Sequence, residues 1–151
     1  MPLSKHHIDT QTVATPLDLD RLGSSLEAEL PQVLFAYLHG SAAESGVVPA
    51  HSDLDIALFL DPAGASTAEL LSAVYAGVAR VTEFFAPGVR CDIGILNGAE
   101  PVFRFEVLKG RLLFCRDQEQ WLRFYSLTCR EYESRIYHYE RQRRYRIEVQ
   151  S

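Results

Sequence analysis

Two aspartates one residue apart, Asp53 and Asp55, open the apolar run S-D-L-D-I-A-L-F-L. Alternate side chains of a β-strand project to one face, so these carboxylates stand side by side. Paired carboxylates repel unless a cation lies between them, and Mg²⁺ carrying a phosphate takes one or two protein carboxylates. Upstream, Gly40 and Ser41 follow a second apolar run, V-L-F-A-Y-L. They supply a backbone able to approach a phosphate closely, free N–H groups and a hydroxyl. Acid pair and phosphate turn together predict a Mg-nucleotide site.

The elements that must position these groups follow from periodicity and breakers. Thr15-Pro16 predicts a helix start, with Pro16 at the first helical position and Asp18 in the first turn. Leu19, Leu22, Leu26 and Leu30 continue it at helical spacing until Pro31. Val33 to Leu38 predicts a buried strand, followed by the Gly-Ser turn, a small-residue loop and a strand over Leu54 to Leu60. Asp61-Pro62-Ala63-Gly64 is a turn by composition. Ser66 and Glu69 form an S-x-x-E capping box for a helix whose apolar face is Leu70, Leu71, Val74, Val78, Val81 and Phe85, ended by Pro87-Gly88.

Arg90 to Leu96 predicts a third strand, with Cys91, Ile93 and Ile95 on one face and Asp92, Gly94 and Leu96 on the other. An acid within a short buried strand is costly unless paired or liganded, so Asp92 is either a ligand or a solvent-facing edge residue. Asn97 to Glu100 caps a short helix ending at Lys109-Gly110, and Arg111 to Cys115 is a further strand. From about 117 to 148 a long helix carries the stripe Leu122, Tyr125, Cys129, Tyr132, Ile136 and Tyr139. Its first half is expected to dock on the protein's own core. Beyond Tyr132 the stripe equally suits a partner or self-association, because tyrosine is amphipathic. The sum is an α+β fold: a small mixed sheet, helices packed on one side and a long C-terminal helix.

Size and composition bound the alternatives. The 151 residues suit one domain: a loose arm over 1–14 and a single unit over 15–151. Apolar residues make up 47% and charged residues 23%, an ordinary globular mixture. No run nears the roughly 18 apolar residues of a membrane span, and the N-terminus lacks a secretory signal's apolar core, which implies a cytoplasmic protein. The adjacent His6 and His7 cannot share a helix face. Cys91, Cys115 and Cys129 form no C-x-x-C pair and are read as inert thiols. A net charge of −5 argues against a nucleic acid held over the whole surface. Arg135, Arg141, Arg143, Arg144 and Arg146 nevertheless crowd one segment, either a solvated helix end or a site for phosphates or an acidic partner. No P-loop, dinucleotide fingerprint or serine-hydrolase elbow occurs. His138, among tyrosines and arginines, invites an RNase reading, but no supporting spacing accompanies it. His39 could approach phosphates or merely pack.

G-S, a loop and D-x-D at a strand start resemble the signature of the DNA polymerase β-like nucleotidyltransferases, in the minimal MNT-type branch. The resemblance runs from the helix before Gly40 to the C-terminal helix. It implies a nucleotidyltransferase-like fold in which Asp53, Asp55 and Asp92 hold Mg²⁺ and act in catalysis, while Gly40 and Ser41 hold the phosphates of ATP. It further implies an antitoxin that transfers AMP from ATP to a tyrosine of a partner HEPN-domain RNase toxin. The loop Ala42 to Ser52 is one residue longer than the family pattern, and Glu44-Ser45-Gly46 stands where the family often has arginine followed by glycine. Two other readings follow. One is an inactive antitoxin that occludes its partner by binding alone, its ATP affinity lost with that altered loop; the other is a small-molecule nucleotidyltransferase of aminoglycoside type.

Overall fold

The structure, a computed structural model, describes residues 14–150 and the side chains of 14–147. The expected arm over 1–14, with His6 and His7, lies outside the described residues apart from Ala14. The chain runs β1 (Thr15–Pro16), α1 (Leu19–Glu29), β2 (Val33–His39), α2 (Ser41–Ser45), β3 (Val47–Val48), β4 (Leu54–Leu60), α3 (Ala68–Phe85), β5 (Cys91–Ile95), α4 (Pro101–Leu108), β6 (Arg111–Cys115) and α5 (Gln118–Gln150). Among the described residues no helix is long and apolar enough to cross a membrane.

Four strands form a mixed sheet in the order β5-β4-β2-β6. β2 pairs antiparallel with both β4 and β6, and β4 pairs parallel with β5. On one face Leu22, Leu26, Val74 and Val78 of α1 and α3 meet Ala36, Leu38, Ile56 and Leu58. Cys91, Ile93 and Ile95 pack on this side, and Leu96 joins the opposite cluster, as the alternation in β5 predicts. The expectation of helices on one side describes α1 and α3. The opposite face is covered as well, by α4 and the first half of α5, because Phe35, Tyr37, Ala57 and Phe59 make it equally apolar. Phe35 stacks on Phe59 at 4.7 Å between centroids, and Phe124 closes the cluster at 5.3 and 5.5 Å from them. Each fully buried side chain of this size stabilises the fold by roughly 1.5–3 kcal/mol.

Several local expectations are corrected. Thr15-Pro16 does not start a helix but pairs antiparallel with Val47–Val48, and Asp18 is the cap itself, accepting from the Arg21 N–H at 3.2 Å. The cap of α3 is Thr67, whose hydroxyl accepts from the Leu70 N–H at 3.1 Å, not Ser66. Both hydroxyls precede the apolar run, and Thr67 is the residue directly before the first helical position, from which its hydroxyl meets the third helical N–H.

α5 docks through a face shifted from the predicted stripe, which keeps Tyr132 but not Leu122 or Tyr125. Phe124 and Thr128 are buried, whereas Leu122 is 52% and Tyr125 44% exposed. Trp121 donates its indole N–H to the Tyr37 hydroxyl at 2.7 Å, and Tyr132 stacks on Phe105 at 3.8 Å. Arg104, buried beneath the helix, reaches the Ala99 carbonyl at 2.9 Å and Glu131 at 2.5 Å. Beyond Tyr132 every described side chain is exposed through residue 147.

Candidate active site

The site is built at one end of β2 and β4. Gly40 follows β2 with φ +75°, a left-handed conformation that disfavours other residues. A Cβ there would also run into the Asp55 carboxylate. The absence of a side chain at Gly40 therefore makes room for that carboxylate. The expected small-residue loop after Ser41 instead contains the five-residue helix α2, closed by Gly46 at φ +72°, and the strand β3. S-A-A-E-S has no apolar period by which to announce a helix; the buried Ala42 and Ala43 fix it against the core.

Pairing brings the acids together from distant parts of the chain. His39 lies opposite Asp55 in the antiparallel ladder, and Asp55 lies opposite Asp92 in the parallel one. Asp53 immediately precedes β4, two residues before Asp55. Burial pushes the Asp55 carboxyl above its ordinary value; His39 opposes that shift, and the negative charges of Asp92 and Asp53 add to it. Burial lowers the His39 imidazole, against the pull of Asp55. Phe103 meets the His39 ring edge-on at 5.6 Å. Asp92 is a register neighbour of Asp55 and also an exposed edge-strand residue, with Arg90 Nε 3.4 Å from its Oδ1.

Among the described residues no three His, Cys, Asp or Glu groups converge tightly enough to enclose a metal ion. The donor chemistry still fits a hard divalent cation carried by a nucleotide. Such a cation keeps most of its shell as phosphate oxygens and water, taking one or two carboxylates from the protein. Gly40 and Ser41 stand beside those carboxylates. A cavity of about 210 Å³ adjoins the turn, lined by Gly40, Ala43, Glu44, Glu106, Lys109 and Gly110. This is below the roughly 300–1,000 Å³ of a complete small-molecule site.

Lys109, Gly110 and Arg111 form a second wall of the turn that the local sequence pattern did not reveal. A Cβ at Gly110 would run into the Leu38 carbonyl and lie 3.1 Å from the His39 Cα, so this backbone touches the end of β2. Arg111 Nε donates to the Ala43 carbonyl at 2.9 Å, tethering α2. The three cysteines are free; burial raises the Cys91 thiol to about 11, consistent with an inert group. His138 is exposed beside Tyr137, at 5.8 Å between rings.

A family model, Polymerase beta, Nucleotidyltransferase, matches residues 23–119. No curated protein matches the chain. Among solved structures, a mutant of the MntA–HpeT toxin–antitoxin is similar at 21% identity, with a TM-score of 0.59 over 87% of this chain and 97% of that one. A toxin–antitoxin with AMP-PNP gives 21% identity, a TM-score of 0.59 and the same coverage. A tri-AMPylated Shewanella oneidensis HEPN toxin in complex with MNT antitoxin gives 20% identity, a TM-score of 0.54 and coverage of 86% and 92%. At these identities the likeness is one of fold.

Proposed function

Because the chain belongs to the polymerase beta nucleotidyltransferase family, we propose that it transfers AMP from ATP to a tyrosine of a HEPN-domain RNase toxin, as the antitoxin of a cytoplasmic pair. The unit that acts is residues 15–151. The observation that carries this reading is the register that sets Asp55 beside Asp92, with the Asp55 carboxylate against Gly40 and Asp53 two residues before it. The fold shared with toxin–antitoxin structures, one with AMP-PNP and one with an AMPylated HEPN toxin, supports the choice of acceptor.

In the proposed reaction the tyrosine oxygen attacks the α-phosphorus of ATP. A new P–O bond forms, the bond from the α-phosphorus to the bridging oxygen breaks, and pyrophosphate leaves. Asp53, Asp55 and Asp92 would hold Mg²⁺, which neutralises charge on the attacking and leaving oxygens when bound. Gly40 and Ser41 hold the β- and γ-phosphates. The hydroxyl proton passes to the exposed Asp92 carboxylate and then to water. Asp55, held against Gly40, fixes the position of the α-phosphate relative to that acceptor.

The test is the intact mass of the co-purifying partner before and after Mg-ATP, with Asp53→Asn/Asp55→Asn protein alongside. The expected result is a gain of one or more AMP units, absent with the variant. A stable partner of unchanged mass overturns transfer and favours an occluding module. That second reading has one observation behind it: Glu44, in place of a basic residue, lines the cavity together with Glu106. An occluding module would bind its partner without Mg-ATP.

A further inference from the structure

We propose that Lys109 is the triphosphate-binding cation of this site, reaching the nucleotide from the α4–β6 turn rather than from the loop that follows Gly40-Ser41. The inference rests on the nucleotidyltransferase reading and names a residue that the D-x-D and G-S pattern does not contain.

The sheet order makes the argument. In β5-β4-β2-β6 the end of β2 has β4 on one flank and the start of β6 on the other. The carboxylates Asp55 and Asp92 therefore stand on one side of Gly40, and Lys109-Gly110-Arg111 on the other. A nucleotide whose α-phosphate lies by the aspartates and whose tail follows the Gly40-Ser41 turn runs toward that second wall. A tail of β- and γ-phosphates needs a cation there. Within the loop itself Glu44 is an acid, and Arg111 has its Nε engaged with the Ala43 carbonyl.

Among the described residues Lys109 is the one cation lining the 210 Å³ cavity beside Gly40; Glu44 and Glu106 are the cavity's other charged residues. Its Nζ lies 3.1 Å from Glu106 Oε1 and 5.1 Å from the Phe105 ring centroid. Both ends of that ion pair are more than half exposed, and a screened pair of this kind is easily exchanged. A triphosphate carries several negative charges and accepts charge-assisted hydrogen bonds, so it displaces Glu106 from the ammonium. Gly110 fixes where the lysine starts: the backbone at 110 is pressed against Leu38 and His39, with no space for a side chain. Lys109 is thus a positioning residue for the leaving pyrophosphate, and Glu106 its resting partner.

The experiment compares binding of Mg-ATP and AMP by calorimetry, and steady-state turnover, for wild type, Lys109→Gln, Lys109→Arg and Glu106→Gln. Lys109→Gln is expected to weaken ATP about ten-fold, the loss of one charge-assisted contact, with AMP affinity changed by less than about two-fold. KM for ATP rises in Lys109→Gln, Lys109→Arg restores most of the affinity, and Glu106→Gln tightens ATP. Equal weakening of ATP and AMP would mean a structural role and overturns the assignment, as does unchanged ATP affinity in Lys109→Gln when wild type binds Mg-ATP. Wild-type protein that binds no Mg-ATP overturns the nucleotidyltransferase reading and this one with it.

Discussion

Asp55 and His39 stand opposite each other across the β2–β4 ladder, and the same burial pushes the acid up and the imidazole down. Burial disfavours the charged form of either group, and each opposes the other's shift when both are charged. The pair therefore destabilises the nucleotide-free fold wherever one member is charged alone, His39 at low pH and Asp55 at high pH.

This gives a pH dependence with a definite sign. Between 3.8 and the raised folded value, folded Asp55 binds more protons than the unfolded chain, so its contribution to stability falls as pH rises through that window. Asp55→Asn should raise the melting temperature by a few degrees at pH 7, and the gain should vanish below pH 3.8. His39 acts in the opposite direction. Its folded value lies below 6.5, so stability is lost as pH falls from 6.5 through that lower value. Thermal melts of wild type, Asp55→Asn and His39→Gln across pH 3–8 check both signs.

Gly40→Ala combines a left-handed backbone with a collision against the Asp55 carboxylate. The backbone strain alone costs about 1–3 kcal/mol, and the displaced carboxylate is one of the three proposed to bind metal. Melts should show the stability loss, and ATP-dependent pyrophosphate release should fall by at least about 100-fold, as when an electrostatic stabiliser of a transition state is removed. A fully active Gly40→Ala protein would sink the role given to this turn.

Asp92 and Arg90 separate ligand from neighbour. Asp92→Ala should abolish Mg-dependent transfer with the fold intact by circular dichroism. Arg90→Ala removes only an exposed contact at 3.4 Å and should change stability by less than about 1 kcal/mol. With the counter-cation gone, binding of Mg²⁺, followed by calorimetry, should tighten. Undiminished transfer by Asp92→Ala would return Asp92 to the role of an edge-strand surface acid.

Phe124 closes the cluster formed with Phe35 and Phe59 and lies beneath Arg104. Phe124→Ala should cost about 3–5 kcal/mol, read from urea unfolding, and loosen the first half of α5. Ending the chain after Ile136 should leave the melt nearly unchanged, because the removed side chains of residues 137–147 are exposed. It should weaken capture of the partner, measured by co-purification.

Many of the strands, and most of the acid-and-turn site, are legible in the order of residues alone. Leu54–Leu60 and Arg111–Cys115 are short apolar runs bounded by Asp-Pro, Gly and a charged pair, and they form strands over those bounds. Asp53, Asp55, Gly40 and Ser41 lie within one continuous stretch, so their association is written locally. What stays hidden depends on distant pairing. Thr15-Pro16 reads as a helix start until Val47–Val48 supplies its strand partner. The docked face of α5 is chosen by Tyr37, Phe105 and Arg104, which no spacing within the helix reveals. Lys109 reaches Gly40 only because β6 joins β2, about seventy residues away along the chain.

The outer half of α5 carries a consequence for how long the free protein lasts. Fifteen residues from 133 to 147, roughly 22 Å of helix, bury no side chain against the body. Their backbone hydrogen bonds rest on local propensity, the least protected end of any fold's stability range. Arg135, Arg141, Arg143, Arg144 and Arg146 give a trypsin-like protease a ladder of cleavage points there. A covered helix would be spared, so the lifetime of an intact chain becomes a gauge of how much of it is bound.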